Sequence, residues 1–142
     1  MKDLEIEIKF DERFKELMLS GVKTCTTRRE MEGKRGDTFT AFGQKFIIID
    51  TANVYFGHII DNWWGKEGFT SPKEFVEFTL KYYGEVDGEV DIGQKHWIHW
   101  FKRCDFYLDD LFKRKYQIHE ELKTIDYEIS VCKEKNNQNK RR

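Results

Sequence analysis

Strict alternation opens the chain. In Leu4-Glu5-Ile6-Glu7-Ile8-Lys9-Phe10 every second residue is apolar, which predicts a half-buried strand. Asp11 is placed to cap a helix whose inward stripe is Phe14, Leu17 and Met18. Ser20-Gly21 is the expected stop, because glycine readily takes the left-handed conformation that ends a helix. Gly33 to Asp37 reads as a turn, Thr38 to Phe42 as a strand, and Gly43-Gln44 as a second turn into Lys45 to Ile49, with Asp50 to Phe56 continuing that strand past a bend. After Gly57 the period becomes helical: Ile59, Ile60, Trp63 and Trp64 share one side. Ser71-Pro72-Lys73-Glu74 then has the form of a helix start with a capping box, with Phe75, Phe78 and Tyr82 inward and Gly84 as the stop.

Glu85 to Gly93 reads as an acidic loop, and His96 to Lys102 as a strand apolar on both faces, hence central in its sheet. Beyond Cys104, Leu111, Ile118, Leu122 and Ile125 fit a helix starting after Asp109, and Tyr127, Ile129 and Val131 alternate as a last short strand. Residues 133–142 lack any apolar side chain and read as a disordered tail. The division expected is therefore a domain over 1–103, an extension over 104–132 packed on it, and the tail.

Composition narrows the classes. A chain of 142 residues suffices for one domain with its own core. A net charge of −1 excludes a strongly basic nucleic-acid coat, though not a local basic cleft. Three widely spaced cysteines, without a zinc-type spacing or a signal segment at the start, point to a reducing compartment, the cytoplasm, and to no metal or other cofactor. No apolar run is long enough to span a bilayer.

The densest chemistry lies in Ser20-Gly21-Val22-Lys23-Thr24-Cys25-Thr26-Thr27-Arg28-Arg29. On composition alone this is a polar barrel strand with a solvated arginine pair. The alternative is a site for an anionic or carbonyl-bearing ligand. In a flat strand Lys23 and Thr26 face opposite ways, so a shared site requires a loop at 21–24 and a strand that begins near Cys25.

Four motifs in order bear on these readings. Gly21-Val22-Lys23-Thr24-Cys25-Thr26-Thr27-Arg28 resembles the Gly-x-Lys-Thr-x-Thr-x-Arg pattern of the ASCH family, small relatives of the PUA RNA-binding domain. Lys34-Arg35-Gly36-Asp37 is similar to its Lys-x-Gly-Asp turn, Lys66-Glu67-Gly68-Phe69-Thr70-Ser71 to its Glu-Gly-Phe segment before a helix, and His96 to Lys102 to its last barrel strand. The resemblance implies an α+β fold, a PUA-like β-barrel of five or six strands flanked by helices. It also implies RNA or a modified nucleoside as partner. Some small members remove the acetyl group of N(4)-acetylcytidine. On that pattern Lys23 matches the general base, Thr26 the nucleophile and Glu67 the acid partner, with Arg28 in the cleft. Thr24, Arg29, Trp63 and Trp64 are added here as candidate RNA contacts, the tryptophans as base-stacking platforms set against the simpler reading of core. A non-catalytic RNA-binding module, and an adaptor working through the C-terminal extension, stay open beside the amidohydrolase reading.

Overall fold

The computed structural model describes residues 5–83 and 91–140. By internal contacts the chain forms two compact units, Met1–Cys104 and Asp105–Arg142.

In the first unit, Asp11 caps a short 3-10 turn at Glu12–Phe14, its Oδ1 accepting from the Arg13 N–H at 2.9 Å. Helix α1 (Lys15–Leu19) follows directly, with Phe14 and Met18 buried as the stripe predicts. Strand β1 is Cys25–Arg28, β2 Thr38–Ala41 and β3 Gln44–Tyr55; α2 (Phe56–Trp63), α3 (Pro72–Tyr83) and β4 (Lys95–Arg103) complete the unit. The strands form one antiparallel sheet in the order β1-β4-β3-β2. It is curled into a half-barrel. β4 is central, as its two-faced apolar pattern requires, with Ile98, His99 and Phe101 enclosed. The register of β3 on β4 slips between Ile48 and Asp50, a bulge that bends the long strand.

The β2–β3 hairpin turns at Phe42 (φ 51°) and Gly43 (φ 77°), one residue earlier than Gly43-Gln44. Positive φ at both central positions matches the twist of the flanking strands. The core is aromatic. Phe39 stacks on Phe10 and Phe46 at centroid distances of 5.5 and 5.4 Å, and Phe101 meets Phe39 and Phe46 edge-on at 5.4 and 5.6 Å.

Several expectations are corrected. The α+β class holds, but the sheet has four strands among the described residues, not five or six. Residues 6–10 form no ladder: Glu5 makes one isolated parallel bridge to Thr38, and the Ile6 N–H reaches the Thr38 carbonyl at 2.7 Å. Their alternation is satisfied by packing instead, with Ile8 buried and Ile6 and Phe10 against the core. Tyr82 is 51% exposed, and its hydroxyl donates to Asp11. The Glu74 N–H donates to the Ser71 hydroxyl at 3.1 Å, but the Glu74 carboxylate binds Thr70 and Arg13 and does not close the box. Leu4, the stop at Gly84 and the loop from Glu85 to Val90 lie outside the described residues.

The second unit is a single helix, α4, which runs Cys104–Lys140. The expected helix start after Asp109, the strand at Tyr127–Val131 and the disordered tail from Lys133 are all replaced by it over the described residues. No Gly or Pro interrupts residues 104–142, and the good helix formers Glu, Lys, Leu, Arg and Gln recur throughout them.

The histidines of β4 make stability depend on pH. The His99 Nε2 accepts the Glu32 N–H at 3.0 Å, so the neutral ring carries its proton on Nδ1. Burial pushes both His96 and His99 below the ordinary imidazole value of 6.5. The unfolded chain therefore takes up protons near pH 6.5 that the folded domain still refuses. Stability is expected to fall as pH drops from 6.5 toward the folded-state values. Urea unfolding midpoints measured from pH 8 to pH 5 check this; a flat profile, or no flattening in His99→Gln, contradicts it.

Candidate functional site

The site is built where α1 stops. Gly21 takes φ 82°, and the N–H groups of Val22 and Lys23 both turn back to the Leu17 carbonyl at 2.9 Å. The N–H groups of Thr24 and Cys25 reach the Lys66 carbonyl at 2.8 and 3.2 Å, while the Phe101 N–H donates to the Thr24 carbonyl at 2.9 Å. The loop at 21–24 and the strand start at Cys25 are thus both present. The bend is held by α1, the segment after α2, and β4.

This bend turns Lys23 inward until it is 2% exposed. Its Nζ donates to the carbonyls of Cys25 and Glu67, each at 2.8 Å, and to the Glu67 Oε2 at 3.2 Å. Three acceptors match the three donors of an ammonium. The amine also lies 4.4 Å from the centroid of the Phe14 ring. Glu67 is 3% exposed, and its other oxygen, Oε1, accepts the Thr27 hydroxyl at 2.5 Å. Gly68 makes this close approach possible. It sits at φ 98°, and a Cβ there would stand 3.3 Å from the Lys23 Cβ and 3.2 Å from the Leu17 Cδ1.

Burial, the largest influence, holds the Lys23 amine below its ordinary value; the Glu67 carboxylate opposes it and Arg28 adds to it. The net effect of these influences is downward. Burial and the Glu67 charge push the Cys25 thiol well up, so this enclosed cysteine is a packing residue and not a reactive one.

Lys23, Thr26, Thr27, Arg28 and Glu67 line one cavity of about 190 Å³, walled by Phe10, Phe14, Phe69, Phe75, Phe78 and Tyr82. The three groups that the motif singles out, Lys23, Thr26 and Glu67, are therefore brought together. Thr26 is 5% exposed and its hydroxyl accepts from the Arg28 Nε at 3.2 Å. Arg28 lines the cavity with its side chain part-exposed. It donates to the Lys9 carbonyl at 2.6 Å, lies 3.8 Å from Glu32 and covers the Phe10 ring at 5.1 Å.

The remaining candidates are placed elsewhere. Thr24, Arg29, Trp63 and Trp64 are not among the residues lining the cavity. Arg29 is exposed. Both tryptophans pack on the core, Trp63 edge-on against Trp100 at 5.1 Å, which is the simpler of their two readings. Sequence reasoning missed Thr27, the hydroxyl bound to Glu67, because strand parity turns neighbouring residues to opposite faces. It also missed the aromatic wall, since those phenylalanines read equally well as core. Among the described residues no cluster of His, Cys, Asp or Glu could hold a metal ion, and no helix is long and apolar enough to cross a membrane.

This is an α+β domain with a curled four-stranded antiparallel sheet, and an enclosed lysine–glutamate pair lines its small aromatic cavity. No protein-family model and no curated protein matches the chain. Among solved structures, the hypothetical protein PH0355 is similar at 18% identity and TM-score 0.52, over 72% of this chain and 99% of that one. An ASCH domain from Lactobacillus crispatus JV V101 is similar at 12% identity and TM-score 0.49, over 72% of this chain and 79% of that one. The protein EF3133 from Enterococcus faecalis V583 is similar at 15% identity and TM-score 0.49, over 72% and 80%. An ASCH domain thus stands among the structural neighbours. At these identities the likeness is one of fold, and fold alone does not assign an activity.

Proposed function

We propose that the domain receives one nucleobase, as a modified nucleoside or as part of an RNA, in the cavity lined by Lys23, Thr26 and Glu67. The observation that carries this reading is the enclosed Lys23–Glu67 pair lining an aromatic-walled hollow of about 190 Å³. A buried ion pair is costly to keep in a fold, and one facing a cavity with a displaced lysine pKa is a mark of a working site. The hollow is smaller than the ~300–1,000 Å³ of pockets for drug-sized ligands, so it suits one flat ring. Its phenylalanines offer stacking faces, and its polar lining offers donors and acceptors for a polar base edge. The ASCH-like motifs support RNA or a nucleoside as the source of that ring.

The second reading adds chemistry: hydrolysis of the amide of an N-acylated cytidine. The lowered Lys23 pKa and the Glu67 Oε2 3.2 Å from its amine favour it, since the ammonium must first pass a proton to the carboxylate before it can take one from a hydroxyl. Thr26 Oγ1 attacks the acyl carbon and its proton passes to the Lys23 amine, whose ordinary proton Glu67 can hold. The proton then goes to the departing cytidine nitrogen as the amide C–N bond breaks. Water releases the acyl group from Thr26 as a carboxylic acid and restores the hydroxyl.

Incubation with N(4)-acetylcytidine followed by chromatography tests this reading. Cytidine and acetate are expected from the native chain and not from Thr26→Ala. Equal turnover by Thr26→Ala removes the hydrolase. Calorimetric titration with the nucleoside and with a short single-stranded RNA tests the binding reading separately. RNA affinity is expected to fall with salt by about 0.7 log units per log unit for each phosphate engaged, and no binding of either ligand removes the reading.

A further inference from the structure

The helix α4 carries an apolar seam. Counted in sevens from Leu108, the first position of each heptad is Leu108, Lys115, Leu122 and Ile129, and the fourth is Leu111, Ile118, Ile125 and Cys132. This 3.5-residue spacing keeps a seam facing one partner helix along its length. The leucines and isoleucines on it are 38–52% exposed, and Cys132 is exposed as well. A 37-residue helix is about 55 Å long, and a helix in water draws most of its stability from packing such a face.

The charges beside the seam choose the partner and its direction. With a second copy of this chain laid parallel, Glu121 would meet Asp126 twice, Lys115 would face its own copy inside the seam, and only Glu128 with Lys133 would be favourable. The branched Ile118 and Ile125 would also stand where parallel pairs prefer leucine. Laid antiparallel about a centre at residue 120, Leu108 layers with Cys132 of the second copy and Ile118 with Leu122. Arg114 then faces Glu128, and Lys115 reaches Asp126, each pairing twice. The cost is one meeting of Glu121, and one of His119, with its own copy at the axis. These flanking positions are open to water, where salt screens like charges.

We infer that α4 pairs with α4 of a second copy as an antiparallel two-stranded coiled coil, making the protein a homodimer. Sedimentation equilibrium of the full chain is the test. A dimer is expected. Ile118→Glu, at an exposed position, should leave the near-UV circular dichroism of the first unit unchanged and raise the dissociation constant at least ~100-fold, since it buries two carboxylates. Oxidation reads the direction. In a Cys104→Ser background the two Cys132 thiols sit at opposite ends and should not join. Adding Leu108→Cys should give a disulfide between the introduced thiol of one chain and the Cys132 thiol of the other. A monomer, a larger oligomer, a dimer untouched by Ile118→Glu, or ready joining of Cys132 to Cys132 overturns the inference.

Discussion

Glu67→Ala is expected to destabilise the first unit by about 3–5 kcal/mol, the usual cost of leaving one member of a buried pair without its partner. Lys23 is 2% exposed, so its ammonium would be left buried without the opposing charge. Thr27 loses its acceptor at the same time. Most small domains have only about 5–15 kcal/mol in total, so the variant should unfold at a much lower urea concentration. The double variant Lys23→Met, Glu67→Gln should regain most of the loss, because it removes the charge instead of stranding it. Chemical denaturation of the three proteins decides the matter. A cost under ~1 kcal/mol for Glu67→Ala, the range of exposed ion pairs, means that the pair is not enclosed as described. A double variant no better than the single one means that the cost arises elsewhere.

Phe101→Ala is expected to cost about 3–5 kcal/mol by a different route, the cavity left in a packed core. The Phe101 ring touches Phe10, Phe39 and Phe46 at centroid distances of 5.9, 5.4 and 5.6 Å, and its N–H pins the loop that aims Lys23. The substitution leaves that hydrogen bond intact, so the loss should come from packing, with an unchanged dependence on denaturant. Phe101→Leu should recover a good part of it. A loss below ~1.5 kcal/mol in Phe101→Ala, well short of the usual range, would show that the four rings do not form one close-packed group.

What was legible in the sequence was local. The cap at Asp11, the stop at Gly21 and the bend before Cys25 are set by neighbouring residues, and the structure has them. The centrality of β4 was readable because both faces of His96 to Lys102 are apolar. Tyr127, Ile129 and Val131 misled because three alternating residues are too few to separate a strand from a helix. The lack of any glycine or proline after Cys104 was the stronger signal. The opening alternation reported burial correctly at Ile8 but could not say whether a neighbouring strand would supply a ladder. Glu67 and Thr27 lie 40 residues apart, and no local pattern announces that contact. The spacing of motifs singles out Lys23, Thr26 and Glu67, which line one cavity, whereas residue type alone points to Trp63 and Trp64, which pack against the core.

The proposed function has one premise, that a base enters the hollow between the phenylalanines and Lys23. Threonine-methyl NMR of the intact chain during titration with N(4)-acetylcytidine probes it without intermediaries, because Thr26, Thr27 and Thr79 line the hollow while Thr38, Thr40 and Thr124 do not. Saturable shifts are expected at the first three, with little change at the others. Saturable shifts confined to the second three, or none at millimolar nucleoside, would contradict that premise.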